Sequence, residues 1–307
     1  MRVVFFGTPE FAVTSLHELM GSGYDVVAVV TQPDKPHGRS RSRLVAPPVK
    51  VAGLEYELPV LQPERPTGDL FGASLRRLKP DIGVVVAYGH ILRQAILDLP
   101  PLGMVNVHAS LLPRWRGAAP IQHAILQGDP VTGVSIMRMD AGMDTGPVIH
   151  RAETPIGPTE TAGELAPRLA NLGAEALALA LTAIEEDAAH FEIQDESLAT
   201  MAPKVTRAGA RIDWNADAPG VARQTRAFDP APGAWSEFGD SSLKMFRGQP
   251  VAGAGRPGTI LATAGPLTVA CGSGAVSITE VQPAGKRRQP AADWIRGRGD
   301  LTGRAFE

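Results

Sequence analysis

Apolar runs alternate with helix-spaced stretches over the first two-thirds of the chain. Residues 2–6 (Arg-Val-Val-Phe-Phe), 25–31 and 82–87 are continuous β-branched and aromatic runs that read as buried strands. Residues 9–21, 67–79 and 160–186 carry the spacing of helices, the last rich in Ala, Leu and Glu. Buried strands alternating with helices predict an α/β, Rossmann-like, mostly parallel sheet covered on both faces. At the first helix Thr8 is expected as the N-cap, with Pro9 at the first helical position and Glu10 at the positive end of the dipole.

The pattern changes near residue 200. Helical periodicity fades, and short strand candidates follow at 242–247, 258–263, 267–271 and 275–281, separated by Gly and Pro. That spacing predicts a small β-barrel or sandwich. The expected organisation is an N-terminal domain over 1–186, a linker over 187–206 containing Met201-Ala202-Pro203-Lys204, and a C-terminal domain over 207–307.

Composition narrows the function classes. The 307 residues are 44% hydrophobic and 20% charged, ordinary for a globular protein. No run approaches the roughly 20 apolar residues of a membrane helix, and the apolar burst before Gly7 is too short for a secretory signal. A cytoplasmic location is the expectation. The single Cys271 excludes a disulfide within the chain and a multi-cysteine zinc site. HExxH and CxxC motifs are absent, so no metal is expected. Gly7 lacks the GxGxxG spacing, so NAD is not expected either. Charge is uneven: residues 204–307 hold 14 Lys and Arg against 9 Asp and Glu, and the remainder is acidic. The imbalance fits a polyanionic partner held by the basic back, or an uneven solvated surface.

Candidate chemistry sits in three places. In Gly103-Met104-Val105-Asn106-Val107-His108, strand alternation puts Met104, Asn106 and His108 on one face. Polar groups at the carboxyl end of such a strand occupy the usual ligand position of open α/β sheets, although two satisfied core groups would look the same. A long irregular segment follows, from Ala109 through Trp115 and two arginines to Pro120. Long loops beside a sheet end often carry function. The third place is Asp140-Ala141-Gly142-Met143-Asp144-Thr145-Gly146-Pro147, which reads as a loop between two apolar runs.

Together, Asn106-x-His108, the run Ser110 to Pro120 and the Asp140-x-Gly-x-Asp-Thr-Gly146 loop resemble the folate-dependent formyltransferase family. The resemblance runs nearly the full length. It extends to 6–11 (Phe-Gly-Thr-Pro-Glu-Phe), 31–34 (Thr-Gln-Pro-Asp), 85–89 (Val-Val-Ala-Tyr-Gly), 211–214 (Arg-Ile-Asp-Trp), 227–232 with Trp235 beyond, 257–260 and 282–286. The later motifs point to the branch of the family that acts on tRNA. The resemblance implies 10-formyltetrahydrofolate as formyl donor, initiator methionyl-tRNA as acceptor, and a C-terminal OB-like domain that binds tRNA.

The resemblance also implies roles. Asn106, His108 and Asp144 form the catalytic set, with Asn106 donating to the oxyanion and Asp144 orienting His108; the sequence leaves open which of the latter two is the principal base. Ser110, Leu111, Leu112, Pro113, Tyr88 and Gly89 lie against the folate. The segment 34–43 carries Lys35, Arg39, Arg41 and Arg43 against one acid, and reads either as a solvated loop or as a basic finger. The family uses it on the tRNA acceptor stem, with Gly38 and Arg39 as the matching pair and Lys35 among the basic residues expected on the tRNA. Arg41 and Arg43 depart from the family by alternating with serines. Lys286, Arg287 and Arg288 are the densest basic run of the C-terminal domain and are expected on tRNA phosphates. A monomer is the default. Rival readings keep the same catalytic set on an amino-sugar nucleotide or glycinamide ribonucleotide, or with water as acceptor; a further rival is an RNA-binding protein on an inactive scaffold.

Overall fold

The computed structural model describes residues 1–37, 43–263 and 265–307, with only backbone considered at His37 and Arg43. Two compact units form, each discontinuous in sequence. The first comprises Met1–Gly117, Gly133–Thr154 and Ala166–Met201; the second comprises Ala118–Thr132, Pro155–Leu165 and Ala202–Glu307. The stretch up to Met201 thus packs within the first unit.

The first unit is built on a seven-stranded sheet. Its order is Val60–Leu61, Asp25–Val30, Arg2–Gly7, Ile82–Val86, Met104–His108, Val131–Arg138 and Val148–Pro155. The five strands from Val60–Leu61 to Met104–His108 are parallel, and Val131–Arg138 returns antiparallel to Met104–His108. In chain order the parallel strands run third, second, first, fourth, fifth, so the order reverses between Arg2–Gly7 and Ile82–Val86. Ligands of open α/β sheets bind at the carboxyl ends of the strands beside such a reversal.

The strands Arg2–Gly7, Asp25–Val30 and Ile82–Val86 are buried on both faces because they are almost continuously apolar. Val3, Val4, Phe5 and Phe6 are all fully buried. On one face Val4, Phe6, Val85 and Met104 pack with Phe71, Leu75 and Ile96. Each such side chain contributes about 1.5–3 kcal/mol of burial. On the other face the helix Ala162–Glu185 comes close enough that a Cβ at Gly173 would lie 2.8 Å from Val107. Val107 therefore serves packing, while its neighbours Asn106 and His108 turn to the opposite face.

One cap differs from expectation. The first helix is Glu10–Gly21, its N-cap is Pro9 in extended conformation, and no side chain caps it. Thr8 is not the cap because its Oγ1 donates to the Tyr88 carbonyl at 2.9 Å. The local preference of threonine for a cap loses to a bond across the sheet.

The second unit carries two four-stranded antiparallel sheets. One orders Ala234–Phe238, Ser241–Phe246, Glu280–Pro283 and Gln289–Pro290; the other orders Gln249–Val251, Ala275–Ile278, Leu267–Ala270 and Ile260–Ala262. The sequence reads 275–281 as one strand. The structure breaks it at Thr279, where the chain crosses from one sheet to the other. The sequence does not announce the crossing, because Val276 and Ile278 before it and Val281 after it are all fully buried. The helix Ala218–Ala227 begins at Asp217, whose carboxylate accepts from the Gly220 N–H at 2.8 Å. A Rossmann-like sheet followed by a small β domain is the fold read from the sequence.

Candidate active site

The site sits where the carboxyl ends of the parallel strands meet three loops. The Tyr88 carbonyl accepts from Thr8 Oγ1 at 2.9 Å and from Gln32 Nε2 at 3.1 Å. The loops after Arg2–Gly7, Asp25–Val30 and Ile82–Val86 are thereby tied to one oxygen. The Tyr88 ring stands edge-on to Phe6 in the core, and its buried hydroxyl has no partner among the described residues. Burial pushes that phenol up to about 12. Tyr88 thus lends the rim its backbone, not its side chain.

His108 ends its strand and is 5% exposed. Its Nε2 lies 2.9 Å from the Trp115 carbonyl oxygen. A carbonyl only accepts, so Nε2 carries the proton, an assignment made from the hydrogen-bond network. Nδ1 is then the nitrogen with a free lone pair, and it faces Asp144 Oδ2 at 3.7 Å. The same Oδ2 accepts from the Gly117 N–H at 2.8 Å. Asp144 holds this position with φ at 55°, the left-handed region that non-glycine residues seldom adopt. Trp115, whose carbonyl orients His108, is likewise left-handed at φ 64°. Asn106 is half-buried one pleat back on the same face as His108, and among the described residues its carboxamide has no protein partner. The structure therefore brings together an unspent carboxamide, an imidazole nitrogen and a carboxylate, drawn from one strand and the loop after the next.

The supporting residues were mostly invisible in the sequence. Ser135, opposite His108 across the antiparallel pair, is fully buried. Its hydroxyl donates to the Ser110 carbonyl at 2.7 Å and accepts from the Leu112 N–H at 3.0 Å, fixing the start of the loop. Ser110 is itself fully buried and donates to the Arg114 carbonyl at 2.6 Å. Leu112 is buried against Met137 and Val148. Of the expected folate-side residues, only Leu111 and Pro113 keep part-exposed side chains, and Gly89 contributes a backbone at φ 81°. Asp34, at the start of the basic segment, accepts from Gln62 Nε2 at 2.7 Å and from Lys50 Nζ at 2.8 Å. These two partners, Gln62 first, hold its carboxyl below the usual range.

The basic residues divide. Lys35 is exposed and donates to Gln32 Oε1 at 2.5 Å. Gly38, Arg39 and Arg41 lie outside the described residues, as does the side chain of Arg43. Lys286 and Arg287 are exposed and line a cavity of about 480 Å³ with Arg298. Arg288 is not a free surface cation. Its guanidinium pairs with Asp229 at 2.6 and 2.9 Å, bonds Glu280, and stacks 4.0 Å from the Phe246 ring centroid. Composition counts Arg288 with its neighbours, but the 6% exposed side chain of Asp229 claims its charge. Among the described residues no cluster of His, Cys, Asp and Glu could hold a metal ion, and no helix is long and apolar enough to cross a membrane. Cys271 is buried, which pushes its thiol up to about 11.

Comparison with known proteins decides the family. The family model described as "Formyl transferase" matches residues 1–181, and "Formyl transferase, C-terminal domain" matches 204–299. The methionyl-tRNA formyltransferase of Stutzerimonas stutzeri is 49% identical over 288 residues, covering 93% of this chain and 91% of its own. That of Aromatoleum aromaticum is 46% identical, covering 100% of this chain and 97% of its own. The chain belongs to the methionyl-tRNA formyltransferase family. The fold of this formyltransferase is shared with the solved structure of HypX from Aquifex aeolicus in complex with tetrahydrofolic acid. That match has a TM-score of 0.67 and 19% identity, and covers 100% of this chain and 51% of that one.

Proposed function

We propose that the face bearing Asn106, His108 and Asp144 is where this formyltransferase moves the formyl group of 10-formyltetrahydrofolate onto the amino group of methionine carried by initiator tRNA. The observation that carries this reading is the opposition of His108 Nδ1 and Asp144 Oδ2 at 3.7 Å, with the Asn106 carboxamide unspent on the same face.

Attack of an amine on the substrate's formyl carbon puts negative charge on the formyl oxygen. A preorganised donor at that point is usually the largest catalytic contribution, and Asn106, which cannot titrate, suits it. The attacking amine must lose a proton. His108 Nδ1 is the basic site, since Nε2–H is committed to Trp115. The Asp144 carboxylate favours the imidazolium that results, so it acts through His108; collapse of the intermediate then breaks the bond between the formyl carbon and folate N10, and the imidazolium returns its proton to N10. Leu111, Pro113 and the backbone at Gly89 would line the folate's apolar face, with Ser110, Leu112 and Tyr88 shaping the wall from behind. Lys35, Gly38, Arg39, Arg41 and Arg43 would meet the acceptor end of the tRNA, and Lys286 and Arg287 its phosphates. The chain would work in the cytoplasm as a monomer, with residues 1–186 catalytic, 207–307 binding tRNA, and 187–206 joining them while its part up to Met201 packs within the first unit.

The test is transfer of labelled formyl from 10-formyltetrahydrofolate to methionine-charged initiator tRNA. It is run beside free methionine, an amino-sugar nucleotide and a control without acceptor. Label on the charged tRNA alone is expected. Label on the sugar, or free formate without acceptor, would remove the assigned acceptor.

A further inference from the structure

Gln194 lies outside every motif that marks the family, in the stretch the sequence reads as linker. In the structure it is 5% exposed, and its carboxamide is fully used. Nε2 donates to the Asp144 carbonyl at 2.9 Å and to the Gly146 carbonyl at 2.7 Å. Oε1 accepts from Arg116 Nη2 at 2.9 Å and from Nε at 3.1 Å. Two donated and two accepted bonds are all a carboxamide can make, and the partners fix which end is nitrogen. Arg116, 4% exposed, is held in turn by both oxygens of Glu196 at 2.8 Å. Those hydrogen bonds push the Arg116 guanidinium up against the opposing effect of burial, and the charges of Asp144 and Asp140 add to it.

We infer that Gln194 is a positioning residue for Asp144, locking the left-handed turn that aims the carboxylate at His108. Residue 144 sits in the left-handed region, a conformation that residues with a side chain keep when their surroundings hold it. Gln194 grips the carbonyl of that residue and the one two further on. A Cβ at Gly146 would lie 1.9 Å from the Arg138 carbonyl oxygen, so the loop is bounded by the sheet on one side and by Gln194 on the other. Side chains of other chemistry fail at this place. A glutamate would set an oxygen against two carbonyl oxygens. A methionine would leave both carbonyls and two arginine N–H bonds without partners. A misplacement on the order of 1 Å at a reacting group costs about 100-fold in rate.

This inference rests on the proposed role of Asp144. The experiment is therefore a double-mutant cycle on Gln194→Met and Asp144→Asn, reading kcat and KM for folate and for charged tRNA. Gln194→Met alone is expected to lower kcat by about 10–100-fold, with both KM values within a few-fold of the parent. In the Asp144→Asn background the same change is expected to cost little more, because the carboxylate it positions is already gone. Full additivity of the two losses would overturn the inference. A normal rate for Asp144→Asn alone would instead overturn the role of Asp144. If Gln194→Met fails to unfold cooperatively, Glu196→Gln takes its place. It loosens Arg116 from a 71% exposed side chain while leaving both carbonyl bonds intact. A smaller kcat loss, again absent in Asp144→Asn, is expected, and additivity again overturns the inference.

Discussion

His108 donates from Nε2 to the Trp115 carbonyl, so the nitrogen turned toward Asp144 is Nδ1. The backbone of the Ser110-to-Pro120 loop thereby sets which imidazole nitrogen keeps its lone pair. Replacing His108 by Gln or by Asn removes the proposed base either way. Both variants are expected to lose about 100- to 10,000-fold in single-turnover formyl transfer. Gln, which reaches as far as Nε2, should keep more of the thermal stability. Equal activity of the parent and His108→Gln would discard the base assignment.

Asn106→Ala removes the candidate oxyanion donor without leaving a buried group unpaired, because the carboxamide has no protein partner among the described residues. A kcat loss of about 100- to 1,000-fold with unchanged melting temperature is expected. A melting temperature that falls in step with activity would mark Asn106 as structural.

Arg288 and its neighbours should separate cleanly. Arg288→Ala leaves the Asp229 carboxylate stranded and should destabilise the protein by about 2–3 kcal/mol in denaturant unfolding. Lys286→Ala and Arg287→Ala should leave stability within about 0.5 kcal/mol of the parent. They should instead weaken tRNA binding and reduce the slope of log affinity against log salt by about one each. A salt slope that only Arg288→Ala changes would reverse the assignment.

Acid should loosen the base of the basic segment. Gln62 and Lys50 hold the Asp34 carboxyl below its ordinary value. Its contribution to stability is therefore complete above the usual carboxylate range and is lost as pH falls through the depressed value. Asp34→Asn is expected to melt below the parent at roughly pH 7 and by a smaller margin at roughly pH 3, below the ordinary carboxylate value. Melting curves of the two proteins at both pH values check this; a constant gap would place the effect elsewhere.

Gly146→Ala tests the loop from its other side. The added Cβ meets the backbone oxygen of Arg138, which cannot swing away as a side chain could. Loss of most activity is expected in the transfer assay. Retained activity would show that the Asp144 turn tolerates displacement.

Much of this was legible in the chain itself. Three of the five parallel strands declared themselves as apolar runs, Val60–Leu61 was too short to do so, and strand alternation alone put Asn106 and His108 on one face. Asp144 was reachable only through its loop motif, since an Asp/Gly turn has no periodicity to betray a role. Gln194 and Ser135 gave no signal, because each acts on backbone atoms that are distant in sequence. Thr8 misled for a related reason: a local capping preference of about 1 kcal/mol yielded to a bond spanning 80 residues.

The shared acceptor at Tyr88 has a bearing on how this enzyme can diverge. What joins the three loops is a peptide oxygen, which every amino acid possesses. Position 88 can therefore exchange its hydroxyl for hydrogen at little expense, as long as an aromatic ring still fills the space beside Phe6. The constraint falls instead on residues 8 and 32, whose side chains must supply the donors. Drift in the shape of the rim will be recorded first at those two positions, even though neither belongs to the set of Asn106, His108 and Asp144.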